Sequence, residues 1–259
     1  MKYTIIKNDG SCGLCGYVWQ VLRAIWHNPD KSYYIDFSNN CQYQDSSITA
    51  TQNVWEYYFR QPHVDTYPAI ENIEKVINVI IEDEDSEFRD VFMKSPTAEH
   101  IESVRYKYSA IIDKYIILQP HVEEKINNFV ASNFTGKRVL GVHFRGTDHP
   151  DKKDVTEYLQ IIKEKAVNYD IIFCASDEYG RYNMLKTVFK DKVVTYDSIK
   201  SGDNRPLHYR GDVSKYKIGE DVIIEAFLLS KVDFLFCCSN SNVNYLSRAI
   251  NPTLKSEAL

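Results

Sequence analysis

The chain has 259 residues, a formal net charge of −5, and 44% hydrophobic and 26% charged residues. This is the composition of a globular protein with one large or two small domains. The net negative charge provides no overall basic field, which argues against a nucleic-acid or anionic-membrane partner.

The cysteines do not form the pattern of a disulfide framework. Cys12 and Cys15 form a Cys-x-x-Cys pair, which suits a redox centre or half of a zinc site, but no second pair follows at zinc spacing. Cys174, Cys237 and Cys238 fall in predicted buried strands, where a reduced cysteine acts as a small apolar residue. This cysteine pattern gives no reason to expect a metal site. No signal peptide opens the chain and no apolar run reaches transmembrane length, so we expect a cytoplasmic protein.

The first half of the chain begins with a βαβ pattern. A strand over Tyr3–Lys7 leads through a glycine-containing turn to a predicted helix over Leu14–His27, and a second strand follows over Tyr33–Phe37. Apolar spacing then predicts helices over residues 70–82, 97–117 and 122–130. An aromatic cluster around Trp55 either lines a ligand pocket or fills the core.

The second half alternates strands and helices, which predicts a doubly wound parallel sheet. The predicted strands cover residues 139–144, 170–175, 192–196 and 232–237, and the predicted helices cover 156–168, 182–189, 220–230 and 241–250. The polar segment 198–215 is a long loop, and such loops are often functional. The turn at 133–136 places the domain boundary between residues 136 and 137.

The strand over Val139–Phe144 ends in a polar turn, Arg145-Gly146-Thr147-Asp148. Ligands of open α/β sheets bind outside the carboxyl ends of the strands. An arginine at that position can clamp a phosphate through its planar set of donors. The alternative is a loop arginine that forms an ion pair with Asp148.

Three later segments also bring polar groups to strand ends or into helices. Asp177 follows a buried strand and could equally cap the next helix. Glu225 is a single carboxylate within a nearly all-apolar helix, which is costly unless an arginine or a ligand hydroxyl or amine pairs with it. Ser239, Ser241 and Asn242 lie where a strand turns into a helix, so they could bind an anion or cap that helix.

The segment 143–148, His-Phe-Arg-Gly-Thr-Asp, resembles the His-x-Arg-x-Thr-Asp signature of the α1,6-fucosyltransferases, the nodulation fucosyltransferases and, more loosely, the protein O-fucosyltransferases. The segments around Asp177, Glu225 and Ser241 follow the superfamily pattern in the same order. The resemblance implies a GT-B-like α/β fold with two Rossmann-like lobes and a nucleotide-sugar cleft between them. Residues 1–136 would form the acceptor lobe and residues 137–259 the donor-binding lobe.

The resemblance also implies roles for individual residues. Arg145 would grip the diphosphate of GDP-fucose and, with Asp148, take part in catalysis. Asp151 and Asp154 are candidates for the general base, although the chain lacks the family's motif there. The further donor-binding residues would be His143, Gly146, Asp177, Glu225, Ser239, Ser241 and Asn242, and the acceptor side would include Gly13 and Trp55.

The expected function is an inverting, metal-independent transfer of fucose from GDP-fucose to a glycan hydroxyl, with no cofactor. Three alternatives are open: a transferase of the same fold that uses another nucleotide sugar such as UDP-xylose, a non-catalytic nucleotide-sugar-binding protein, and, least favoured, a redox protein based on Cys12 and Cys15. Animal relatives carry a membrane anchor or a signal sequence. The lack of both here suggests either a bacterial or viral protein or a shortened chain. The acceptor and the oligomeric state cannot be predicted.

Overall fold

The structure is a computed structural model that describes residues 1–8, 12–39, 42–79, 98–147, 155–203, 205–237 and 241–258. The described strands are β1 (Tyr3–Asn8), β2 (Ser32–Asp36), β3 (Phe59–Arg60), β4 (Ile73–Val79), β5 (Ile117–Leu118), β6 (Val139–Phe144), β7 (Ile171–Ser176), β8 (Val193–Val194), β9 (Phe234–Cys237) and β10 (Ser256–Ala258). The described helices are α1 (Leu14–His27), α2 (Trp55–Tyr58), α3 (Ala98–Tyr115), α4 (Pro120–Asn133), α5 (Val155–Ala166), α6 (Tyr179–Phe189), α7 (Lys215–Leu229) and α8 (Asn242–Ile250).

The chain divides into two compact units, Met1–Glu123 with Ser214–Ile223, and Glu124–Val213 with Ile224–Leu259. The predicted boundary at residue 136 followed the turn after α4, whereas the units divide within that helix. The reason is packing: Phe129 of α4 lies edge-on to Phe173 of β7, with ring centroids 5.5 Å apart, so this end of α4 belongs to the second core.

The first unit contains a three-stranded parallel sheet in the order β2-β1-β4. The helix α1 has the predicted bounds, and most of its apolar residues are buried. The predicted helix over residues 70–82 is wrong, because residues 73–79 form β4 and pair with β1 from Tyr3 to Asn8. The segment is rich in isoleucine and valine, whose β-branched side chains favour strands. It is also too short for the spacing of its apolar residues to distinguish a helix from a strand.

The second unit contains a five-stranded parallel sheet in the order β10-β9-β6-β7-β8. This confirms the predicted α/β class with parallel strands, and β6 has the predicted bounds. Its core includes Leu140, Val142 and Phe144 of β6. The chain passes from β6 to β7 and β8 on one side and then returns to β9 on the other side of β6. The strand order therefore reverses between β6 and β9, which is where open α/β sheets bind ligands. The short strand β10 was not predicted.

Two helical glycines provide a test of how tightly the first core is packed. A Cβ on Gly219 of α7 would overlap the hydroxyl of the fully buried Tyr58 and lie 2.6 Å from its Cζ. A Cβ on Gly180 of α6 would have no atom within 4 Å. We expect Gly219→Ala to lower the melting temperature through overpacking worth about 1–3 kcal/mol. The matched variant Gly180→Ala should raise it, because alanine favours helices by about 1 kcal/mol over glycine. Thermal unfolding followed by circular dichroism measures both, and equal shifts would contradict the packing argument.

Candidate functional site

A side-chain hydrogen bond joins β6 to α8 at the point where the strand order reverses. His143, near the end of β6, and Asn244, in the first turn of α8, are both buried, and His143 Nδ1 lies 2.7 Å from Asn244 Oδ1. Because an amide oxygen only accepts, Nδ1 carries the hydrogen and donates it. Arg145 is the first residue beyond β6 and is half-buried. The bond therefore joins the strand end that carries Arg145 to the start of α8, and Asn244 was not predicted from the sequence.

The N-terminus of α8 contains a buried hydroxyl without a hydrogen-bond partner. Ser241 caps the helix through its backbone and is 0% exposed, and its Oγ makes no hydrogen bond. A buried polar group without a partner costs about 1–3 kcal/mol. Helix N-termini attract anions through their free N–H groups and the helix dipole. An anionic ligand at this position would supply the acceptor that the hydroxyl lacks.

The loop after β6 is held by Asp177, at the end of β7. Asp177 Oδ1 accepts from the Gly146 backbone N–H at 2.9 Å, and Oδ2 accepts from the Thr147 hydroxyl at 2.7 Å. Both oxygens of the carboxylate therefore contact the loop that carries Arg145. The predicted contact between Asp177 and a donor nucleotide stays a prediction.

Glu178 and Arg181 form a polar pair against the same loop. A Cβ on Gly146 would overlap the Glu178 carboxylate and lie 2.7 Å from its Cδ, so any larger residue there would have to displace this side chain. Arg181 Nε lies 3.3 Å from Glu178 Oε2, and the guanidinium carbon is 5.9 Å from the ring centre of Phe144. The signal in the sequence was the i, i+3 spacing of glutamate and arginine at a helix start. Arg181 was not predicted from the sequence.

Glu225 is 9% exposed and accepts a hydrogen bond from the Ser198 hydroxyl at 2.6 Å. The Lys200 ammonium in turn donates to Ser198 Oγ at 2.7 Å, so a buried positive charge supports the carboxylate through one hydroxyl. Burial, and then the charge of Glu225, raises the pKa of the Cys174 thiol to about 12, so this cysteine stays protonated. Ser198 and Lys200 lie in the loop that we expected to be functional, but neither was predicted. The predicted pairing of Glu225 with an arginine or a ligand stays a prediction.

The two residues predicted for the acceptor side lie in the first unit. Gly13 is half-buried before α1, where the next N–H, of Leu14, donates to the Tyr43 hydroxyl at 3.1 Å. Trp55 is 1% exposed and stacks on Phe59 with a centroid distance of 4.4 Å. A ring this buried offers no surface to a sugar, so its position favours the alternative that the aromatic cluster fills the core.

Asp148, Asp151, Asp154 and Ser239 lie outside the described residues, and Asn242 is the first, half-buried residue of α8.

Four cysteines, Cys12, Cys15, Cys174 and Cys237, are seen as free thiols. Within the described ranges no three histidine, cysteine, aspartate or glutamate side chains converge as metal ligands would. None of the helices in this part of the chain combines the length and the apolar character needed to cross a bilayer.

The fold is that of solved fucosyltransferases, as the resemblance implied. The NodZ α1,6-fucosyltransferase soaked with GDP-fucose superposes with a TM-score of 0.58 and 13% identity over 96% of this chain and 93% of that chain. A mutant of FUT1 from Arabidopsis thaliana in complex with GDP gives a TM-score of 0.60 and 9% identity over 100% and 70% of the two chains. POFUT1 in complex with GDP gives 0.56 and 10% over 99% and 98%.

Sequence comparison adds nothing to this result, because no protein-family model and no curated protein matches the chain. At identities of 9–13%, the similarity establishes a shared fold, and the function must be argued from the site.

Proposed function

We propose that the protein is a glycosyltransferase of GT-B architecture that transfers fucose from GDP-fucose to a glycan hydroxyl. The observation that carries the proposal is the partnerless, buried Ser241 hydroxyl at the N-terminus of α8, at the point where the strand order reverses. The His143–Asn244 bond ties this helix to the strand end that bears Arg145. The similar structures of NodZ, FUT1 and POFUT1 were obtained with GDP-fucose or GDP, which supports a nucleotide-sugar donor.

The chemistry follows from where negative charge develops. When the bond between the sugar and the diphosphate breaks, the leaving diphosphate gains charge. Arg145 and the N-terminus of α8 would stabilise that charge more in the transition state than in the ground state, which is the condition for catalysis. The acceptor hydroxyl would attack the fucose C1 from the face opposite the diphosphate, so the configuration inverts.

The acceptor hydroxyl must lose a proton as it attacks, which is the task of a general base. Asp151 and Asp154 follow the arginine-bearing turn in sequence and are the proposed candidates, and Asp148 precedes them in the sequence. In this scheme the guanidinium and the helix N-terminus supply the positive charge on the diphosphate, and no metal ion is required.

Arg145→Ala tests the central residue. We expect fucosyl transfer from GDP-fucose to fall by at least about 100-fold, the usual loss when one charge-stabilising group is removed from a transition state. Arg138→Ala is the matched control, because Arg138 lies at the other end of the same strand with a side chain that is 65% exposed. Its variant should keep wild-type activity, and both variants should keep the wild-type circular dichroism spectrum. Near wild-type turnover of Arg145→Ala would remove this residue from its role.

The variant Ser241→Ala should affect GDP binding and the stability of the protein differently. Without ligand, the loss of a buried, partnerless hydroxyl should leave the free energy of unfolding unchanged or raise it. The affinity for GDP, measured by calorimetry, should fall on the order of 10-fold, as expected for one lost hydrogen bond to a charged group.

Ser247→Ala is the matched control on the same helix. The Ser247 hydroxyl is buried and donates to the Ala226 carbonyl at 2.8 Å, so its loss should reduce stability by about 1 kcal/mol and leave GDP affinity intact. The opposite pattern in the two variants would overturn the assignment of Ser241.

Metal independence has its own test. Transfer by protein dialysed against EDTA and assayed in its presence should equal transfer in added Mg²⁺ or Mn²⁺, because protein groups neutralise the leaving diphosphate in this mechanism. A strict requirement for a divalent cation, restored when the metal is added back, would assign the chemistry to a different mechanism of glycosyl transfer.

A further inference from the structure

The Cys-x-x-Cys pair of the first unit has a structural setting that the proposed function does not use. Cys12 lies just before the helix α1 and is half-buried, whereas Cys15 is the second residue of that helix and is 2% exposed. Both are reduced thiols. The helix connects the parallel strands β1 and β2, so the pair lies at the start of the helix of a βαβ unit. This setting is typical of redox-active dithiols, in which an accessible cysteine reacts first and its neighbour resolves the product.

Two groups favour negative charge on the Cys12 sulfur. The N-terminus of α1 carries the positive end of the helix dipole. In addition, the buried side chain of Gln20 donates a hydrogen bond from Nε2 to Cys12 Sγ at 3.7 Å. Asn8 donates to Gln20 Oε1 and so fixes the orientation of this amide, with its Nε2 toward the sulfur. Because the thiolate is the reactive form of cysteine, these contacts and the greater exposure of Cys12 make it the first of the two thiols to react.

The two thiols also lie near one common group, the hydroxyl of Tyr43. Burial raises the pKa of Tyr43, the hydrogen bond from the Leu14 N–H at 3.1 Å lowers it, and negative charge on Cys15 or Cys12 raises it further. Both sulfur atoms are therefore within electrostatic range of the same hydroxyl. No third metal-binding side chain joins them among the residues that the structure describes, so the spacing favours a redox pair over half of a zinc site.

We propose that Cys12 and Cys15 form a redox-active dithiol that reduces small-molecule disulfides such as oxidised glutathione. The Cys12 thiolate attacks one sulfur of the reagent, whose S–S bond breaks, and the first half leaves as a thiol with the proton that Cys12 has lost. The Cys15 thiolate then attacks the Cys12 sulfur, the mixed disulfide breaks, and the second half leaves as a thiol with the proton of Cys15. The protein loses two electrons and gains one disulfide, and the reagent becomes two thiols.

Peptide mapping of the full-length protein tests this reaction. The protein is incubated with oxidised glutathione, quenched with acid, unfolded, alkylated and digested with trypsin. The tryptic peptide of residues 8–23 contains Cys12 and Cys15 and no other cysteine. We expect this peptide to escape alkylation at both positions and to carry an internal disulfide. Cys174 is the internal control, because it is 0% exposed and burial raises the pKa of its thiol to about 12. It should react at least about 10-fold more slowly, since little of it is thiolate.

Two variants separate the roles of the two cysteines. Without the resolving thiol, Cys15→Ala should retain one glutathione on Cys12 as a stable mixed disulfide. Cys12→Ser should acquire neither glutathione nor a disulfide in this peptide, because Cys15 is too buried to react first. Both variants should keep the wild-type circular dichroism spectrum. Since the wild-type mapping requires no substitution, a folding defect in either variant does not remove the test.

Two results would overturn the inference. One is a wild-type peptide in which both cysteines are still alkylated after the incubation, and the other is glutathione on Cys15 in folded Cys12→Ser. Neither result would bear on the proposed sugar transfer, which assigns no step to these thiols.

Discussion

The parallel pairing of β6 between β7 and β9 is the constraint on which the candidate site depends. Parallel strands end at the same edge of a sheet, so one pairing pattern brings Arg145, Asp177 and the start of α8 to that edge from distant parts of the sequence. The registers that align His143 with Ala175 and with Cys237 fix this placement. A shift of one residue would turn the side chains of β6 to the opposite face and move His143 away from Asn244.

The polar groups at this edge fall into two classes with different energetic consequences. Asp177 and Glu225 are satisfied by groups of the protein, and their hydrogen bonds offset the cost of removing carboxylates from water. Ser241 Oγ and Arg181 Nη1 are buried without partners, which costs stability and contributes nothing to the fold. A ligand bound at this edge would supply the missing partners of the second class, whereas the first class already has them within the protein.

The sequence predicted what depends on local pattern and missed what depends on tertiary contacts. The bounds of α1 and β6 followed from strong periodicity and from a continuous apolar run, and they agree with the structure. The edge strand β4 was taken for a helix because its identity depends on pairing with β1. Arg145 and Ser241 could be proposed from the sequence because they end and begin regular elements, whereas the contact of Ser198 with Glu225 joins residues that are distant in the sequence and depends on tertiary packing.

The chain shares its fold with solved fucosyltransferases at sequence identities of only 9–13%. At such identities each residue of the candidate site must be judged separately. A hydrophobic core tolerates many simultaneous substitutions as long as volume and pattern are kept, so the sheet can persist while most side chains change. A site that binds a diphosphate tolerates fewer substitutions, because the charge of the ligand requires a guanidinium or free N–H groups at a fixed position. The proposed function therefore depends on a few groups at the ends of β6, β7 and β9, and the fold alone does not decide it.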